Sequence, residues 1–423
     1  MNFLARQLIT ANSQFRFELL QNQLIETDEN GLITAISQFE NQEIDRELSG
    51  LVMPGLTNAH SHGYQIEMRG TADNPRNFRD WVNSYLYPTV EHFSESDMRK
   101  SLKLLFRLML RNGITTLGEF HYFHHLQADD FRFDQIFLEE AKEAGIRIAF
   151  LQSAYDLGQR EAQQKFHANA DSFIRSLEQI ENWMKAESLN SQWSLSTAPH
   201  SLHGCSPDLM RVAVDWAKSC NRRWHIHLAE QKSDLDFSQE KYGTSPLLAL
   251  QKILHNQLDD LCCLVHACWL SNEEVDLFNQ LHINLVYNPF TNMYLGDGIT
   301  ETNKMNFPVS KLSLGTDSNN AFNMFTEVKL LESLQRVKQL EMGQINSHYL
   351  LASITAFSEH ILNLPVGRLE KGYFADFIEI DFESLTGKHA EECAVDEIIN
   401  HLIFSGMDPS FIKTRFIGGR EIK

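Results

Sequence analysis

Short apolar, β-branched or alternating runs recur along this chain, with helically spaced stretches between many of them. Eight runs carry the pattern: 50–62 (GLVMPGLTNAHSH), 114–120 (ITTLGEF), 146–155 (IRIAFLQSAY), 193–201 (WSLSTAPHS), 222–230 (RRWHIHLAE), 261–269 (LCCLVHACW), 282–289 (HINLVYNP) and 311–318 (KLSLGTDS). Between the first two, SESDMRKSLKLLFRLMLRN has Ser94 and Asp97 at capping-box spacing, apolar residues at helical spacing and Gly113 as its stop. NMFTEVKLLESLQRVKQLE, after the eighth, has the same helical character. Eight strands alternating with helices predict an α/β fold, a parallel (β/α)8 TIM-like barrel, although a doubly wound open sheet gives a similar alternation.

The ends of the chain differ from its middle. Residues 1–50 hold short polar-interrupted runs such as GLITAIS, and residues 366–423 hold GYFADFIEIDF and TRFIGGREI. Both read as antiparallel strands too few for separate cores, so the ends are expected to combine as a small discontinuous β-sandwich beside a barrel spanning 51–365.

Composition narrows the class. At 423 residues and 43% hydrophobic content, the chain can bury the core that such a fold requires. Its net charge of −19 is spread along the sequence without a basic cluster, which argues against nucleic acid as a partner. The first residues lack a basic start followed by an apolar core, and no stretch approaches about 18 uninterrupted apolar residues, so a cytoplasmic protein without membrane association is expected. The six cysteines show no Cys-x-x-Cys spacing and read as reduced packing residues. A homodimer is compatible with all of this.

In a parallel barrel the chemistry gathers at the C-terminal ends of the strands, and here those ends are loaded. The first run ends in His60-Ser-His62, the fourth in His200, the fifth in His227 with Glu230 three residues on; the sixth contains His266 and the eighth ends in Asp317. Alternation along a strand puts positions 60 and 62 on one face. A lone strand histidine is ordinarily a hydrogen-bonded structural residue, but this conjunction predicts a divalent metal centre. Imidazole and carboxylate suit Zn²⁺ at roughly 2.0–2.2 Å per bond, with Fe²⁺ as the alternative, and leave room for water. The chemistry of such a centre is hydrolytic, because a bound ion lowers the pKa of water to about 7. His121, His124 and His125 form another cluster, expected to support the ligands or touch substrate rather than to bind a second metal.

As an ordered set, PGLTNAHSH, HLAE, VHA, GTDS and the late GRLEKGYFADFIEID resemble the amidohydrolase superfamily. The resemblance implies a barrel with an attached β-sandwich and a metal-activated hydroxide. Position by position, His60, His62, His227 and Asp317 match the metal ligands. Glu230 matches the proton-shuttling glutamate of the deaminase branch, and His266 the histidine that orients or polarises the attacking species. Binuclear members commonly carry a bridging lysine at the end of the fourth strand; STAPHS has none, so one ion per chain is expected, with Asp317 both touching it and accepting a proton. The same absence and Glu230 disfavour a phosphotriesterase-like hydrolase, and the complete ligand set disfavours a catalytically silent scaffold.

Within the deaminase branch, HSHGYQ with GEFHYFHH and LGDGI is similar to the formimidoylglutamate deiminase family, which implies Gln65, Tyr122 and His200 as contacts to a small-molecule substrate. That family holds two substrate carboxylates with arginines where this chain has Val82 and His203, and neither residue forms a bidentate fork. Arg69, Arg76 and Arg79 are nearby substitutes. NPFTNMYLGDG is instead similar to the corresponding loop of guanine, S-adenosylhomocysteine and chlorotriazine hydrolases. It implies deamination or dechlorination of a heterocycle, with His203, Tyr122 and Phe123 against the ring.

Overall fold

In the computed structural model, which describes residues 1–70, 75, 77–127 and 129–422, the N-terminal runs form β1 (Asn2–Ala11), β2 (Phe17–Thr27), β3 (Ile33–Gln38) and β4 (Arg46–Pro54). The eight central runs become β5 (Leu56–Ser61), β6 (Ile114–His121), β7 (Arg147–Ala154), β8 (Ser194–Pro199), β9 (Trp224–Leu228), β10 (Cys262–His266), β11 (Asn284–Tyr287) and β12 (Leu312–Leu314). The C-terminal segment adds β13 (Phe377–Ile380), β14 (Ile412–Ile417) and β15 (Arg420–Glu421).

The central strands are parallel and almost wholly buried, as expected when one face fills a barrel and the other lies under helices. They hydrogen-bond as two sets of four, β5 to β8 and β9 to β12. One seam is joined by His227 N–H to the His200 carbonyl at 3.1 Å. At the other, Asp317 N–H donates to the His60 carbonyl at 2.9 Å and His62 N–H to the Asp317 carbonyl at 3.0 Å. Gly315 permits this second approach, since a Cβ there would sit 2.6 Å from both the Cβ and the carbonyl oxygen of His60.

Among the helices, Glu95–Arg111 begins with the expected reciprocal Ser94–Asp97 capping box, and Gly113 ends the connection at φ +79°. All six cysteines are unpaired, and five are buried. No helix among the described residues is long and apolar enough to cross a membrane.

The expected β-sandwich takes the form of one hydrogen-bonded sheet of seven strands, ordered β15-β14-β13-β4-β1-β2-β3. Alternation gives it two apolar faces. Phe3, Leu8, Val52 and Phe377 build its own small core, whereas Ile9, Leu51, Met53 and Ile378 join the core shared with the barrel. The C-terminal segment also supplies the helix Val395–Phe404, which packs on barrel helices Met324–Gln339 and Ser347–Ala352.

A buried ion pair ties sheet to barrel. Arg147, at the start of β7, meets Asp376, just before β13, at 2.5 and 2.8 Å, and its guanidinium also donates to the Gln192 carbonyl at 2.9 Å. Removing one partner strands a buried charge, so Arg147→Met should lower unfolding free energy by about 3–5 kcal/mol in urea titration. The double variant Arg147→Met/Asp376→Leu should be more stable than Arg147→Met; equal or lower stability contradicts this account.

Candidate metal centre and active site

At the C-terminal mouth of the barrel, the Nε2 atoms of His60 and His227 are 3.2 Å apart, and Asp317 Oδ1 lies 3.4 Å from His60 Nε2 and 3.3 Å from His62 Nε2. A tetrahedral ion with bonds of roughly 2.0–2.1 Å has donors about 3.3 Å apart, so the spacing fits. Ring orientation agrees. His62 Nδ1 faces the Phe120 carbonyl at 2.9 Å and His227 Nδ1 the His200 carbonyl at 3.0 Å. A carbonyl only accepts, so each Nδ1 carries the hydrogen and each Nε2 turns a lone pair inward. Burial pushes His60 down to about 3, and burial with neighbouring histidines pushes His227 well below the usual range. Neutral imidazoles converging on one another and on a carboxylate form a donor set that a divalent cation completes.

The backbone is unusual here as well. Asp317 and His266 adopt φ of +51° and +71°, a left-handed conformation uncommon for non-glycine residues and concentrated at functional sites. Hydrogen bonds on both sides of Asp317 hold its turn in place.

Beside these four candidate ligands, His266 Nε2 lies 3.7 Å from Glu230 Oε1 and 4.0 Å from Asp317 Oδ2. Its Nδ1 is 2.9 Å from the Asn292 side-chain amide. Burial raises the Glu230 carboxyl well above the usual range, reinforced by the charges of Asp297, Asp317 and Asp234 and by a hydrogen bond with Asp297.

The cavity has two parts. An inner chamber of about 70 Å³ is lined by the candidate ligands His62, His227 and Asp317 together with Gln65, Tyr122, His200, Trp81 and Leu295. An outer cavity of about 740 Å³ shares Phe78, His203 and Glu230 with it. The structure therefore brings together all four expected substrate contacts. Tyr122 packs edge-on against His62 and His200, and its hydroxyl accepts from Tyr64 at 2.5 Å and from Gln65 Nε2 at 2.9 Å. His203 stands half-exposed at the junction, 3.6 Å from Asp234.

Other expectations change. Phe123 is fully buried among Tyr64, Phe93, Phe133 and Phe166, in the core rather than beside a ring-binding surface. His121 and His124 converge on Asp134 at 3.2 and 2.9 Å, while His125 is bonded to the His167 carbonyl and the Phe131 amide. None of the three lines either cavity, so the structure does not bring them to the substrate; His121 lies 3.8 Å from Glu119, which accepts from the Gly63 amide next to His62 at 2.6 Å. Arg69 lies over the Phe322 ring, Arg79 lines the outer cavity, and Arg76 falls outside the described residues. Sequence reasoning missed Arg160 in the outer cavity, and Trp81, Leu86 and Leu295 in the inner one. Leu295 lies within the LGDGI motif, whereas no such motif marks Trp81, Leu86 or Arg160, which topology brings to the mouth.

Residues 51–422 match the amidohydrolase family model. A 5′-deoxyadenosine deaminase of Methanocaldococcus jannaschii is 26% identical, over 87% of this chain and 82% of its own length. A 5-methylthioadenosine/S-adenosylhomocysteine deaminase of Halothermothrix orenii is 28% identical, over 82% and 77%. Among solved structures, an adenosine deaminase from Xanthomonas campestris with bound zinc superposes with a TM-score of 0.84 at 20% identity, over 99% of this chain and 92% of that one.

The buried histidine cluster yields a pH test. Burial opposes protonation of His121, but Asp134 and Glu119 outweigh it and raise the ring to about 9. Against an unfolded value near 6.5, the resulting stabilisation is complete below about pH 6.5 and is lost as pH rises through about 9. Urea denaturation should therefore show wild type losing its advantage over His121→Gln between those values; a constant difference refutes the assignment.

Proposed function

Since the chain belongs to the amidohydrolase family, we propose that it is a metal-dependent hydrolase that deaminates an amino-heterocycle of the adenosine-derivative class. The observation that carries the reading is the placement of the Glu230 carboxyl 3.7 Å from His266 Nε2, beside the converging donors of His60, His62, His227 and Asp317. His60, His62, His227 and Asp317 would hold the ion, here taken as one zinc per chain. When bound, the ion supplies Lewis acidity and a water acidified toward neutral pH.

The chain's own groups do the rest. Asp317, whose second oxygen faces His266, accepts a proton as the attacking oxygen forms its bond to carbon. Glu230, whose carboxyl burial raises well above the usual range, passes a proton to the nitrogen that leaves, so that it departs as ammonia. His266 Nε2–H is aimed at the negative charge that develops at the reacting carbon's substituent. Because Tyr122 Oη already accepts two hydrogen bonds, its proton remains as a donor toward the chamber.

Cavity dimensions support the substrate class. The inner chamber accepts only the reacting edge of a molecule, with Trp81 and Tyr122 as flat walls, while the outer cavity has room for a sugar and its substituent. The similar relatives are deaminases of adenosine derivatives. A second reading, deimination of an acidic amidine such as a formimino amino acid, is favoured by the Gln65–Tyr122–His200 group and by Arg79 and Arg160 in the outer cavity. The absence of arginine at positions 82 and 203 places it second.

Metal analysis should find about one zinc per chain, falling sharply in Asp317→Asn. Glu230→Gln should keep its zinc and lose about 10²–10⁴-fold in ammonia release. In an ammonia-coupled assay, 5′-deoxyadenosine or S-adenosylhomocysteine should be turned over in preference to N-formimino-glutamate; the reverse order replaces the first reading with the second.

A further inference from the structure

The helix after β11, Pro289–Leu295, and the turn that follows it contribute two buried polar residues that do not line the inner chamber: Asn292, which lies against His266, and Asp297, which is bonded to Gln231 next to Glu230. We propose that Asp297 and Asn292 form a single positioning unit that holds His266 in one tautomer and Glu230 in one orientation. The proposal rests on the roles given above to Glu230 and His266.

The hydrogen bonds leave little freedom. Asn292 Nδ2 has two protons and two partners, Asp297 Oδ2 at 2.7 Å and His266 Nδ1 at 2.9 Å. Rotating this amide by a half turn would set its oxygen against a carboxyl oxygen, so Asp297 fixes which way Asn292 points. An Asn292 that donates to Nδ1 requires His266 to carry its hydrogen on Nε2, the nitrogen facing Glu230 and Asp317. Asp297 also receives Gln231 Nε2 on its other oxygen, which ties it to the residue next to Glu230 in the chain. The unit is itself braced, because Trp269 Nε1 donates to the Asp297 carbonyl at 2.7 Å and Asp297 N–H donates to the Asn292 carbonyl at 2.9 Å. Asn292 is fully buried and Asp297 nearly so, which excludes competing water.

Neither residue touches the reacting atoms, so both act through their neighbours. Histidine ¹⁵N spectra of the zinc-loaded protein test the tautomer without any substrate. The His266 signal, identified by its loss in His266→Gln, should report hydrogen on Nε2 in wild type and a mixture of tautomers in Asn292→Leu. Hydrogen on Nδ1 in wild type, or an unchanged signal in Asn292→Leu, overturns the proposal. On the substrate that wild type turns over, Asp297→Asn should lower kcat about 10²-fold with KM and zinc content little changed. Placed in a Glu230→Gln background, Asp297→Asn should cost less than threefold more, since its effect runs through that carboxyl. Full multiplication of the two losses, or a raised KM at unchanged kcat, also overturns it. A Glu230→Gln enzyme of undiminished activity would instead defeat the deaminase reading, leaving the tautomer result to stand or fall alone.

Discussion

Eight parallel strands close into a cylinder only if every neighbouring pair meets in register, and in this chain the two seams are joined by backbone groups of the candidate ligands themselves. His227 spans one, and His60, His62 and Asp317 span the other. Metal geometry and barrel closure are therefore a single constraint. A backbone shift that loosened either seam would move a donor away from the others by the same displacement, and the left-handed turn at Asp317 persists because bonds on both sides over-determine it.

Around that frame, burial does opposite things to two kinds of group. It pushes His60 and His227 down, favouring neutral imidazoles, and it pushes the carboxyl of Glu230, which stands just outside the donor set, up. One low-dielectric environment thus favours the neutral form of both kinds of group. The small inner chamber preserves that environment, while the outer cavity, with Arg79, Arg160, Lys232 and Asp234, remains open to water and to the bulk of a ligand.

Much of this was legible in the sequence because strand period and strand termination are local properties. His-x-His at the end of an apolar run states both the element and the shared face, and Ser94 with Asp97 states a helix start. What was hidden depends on contacts between distant segments. Tyr122 and Phe123 are adjacent beyond the end of β6, where alternation no longer decides direction, and only packing against Tyr64, Phe93 and Phe133 turns Phe123 inward. Arg160 reaches the mouth from the loop after β7 to stand over Tyr87, a pairing that no motif announces. The sequence grouped His121, His124 and His125, whereas the carboxylate that draws the first two together, Asp134, comes from the following helix Arg132–Ala144.

The seven-stranded sheet imposes an order on biosynthesis. β4 lies between β1, which precedes it, and β13, which is made more than three hundred residues later. Throughout translation of the barrel, β4 presents bare amides and carbonyls along one edge, ready to pair with any passing strand. That edge is closed only when Phe377–Ile380 leaves the ribosome and fills the vacant place.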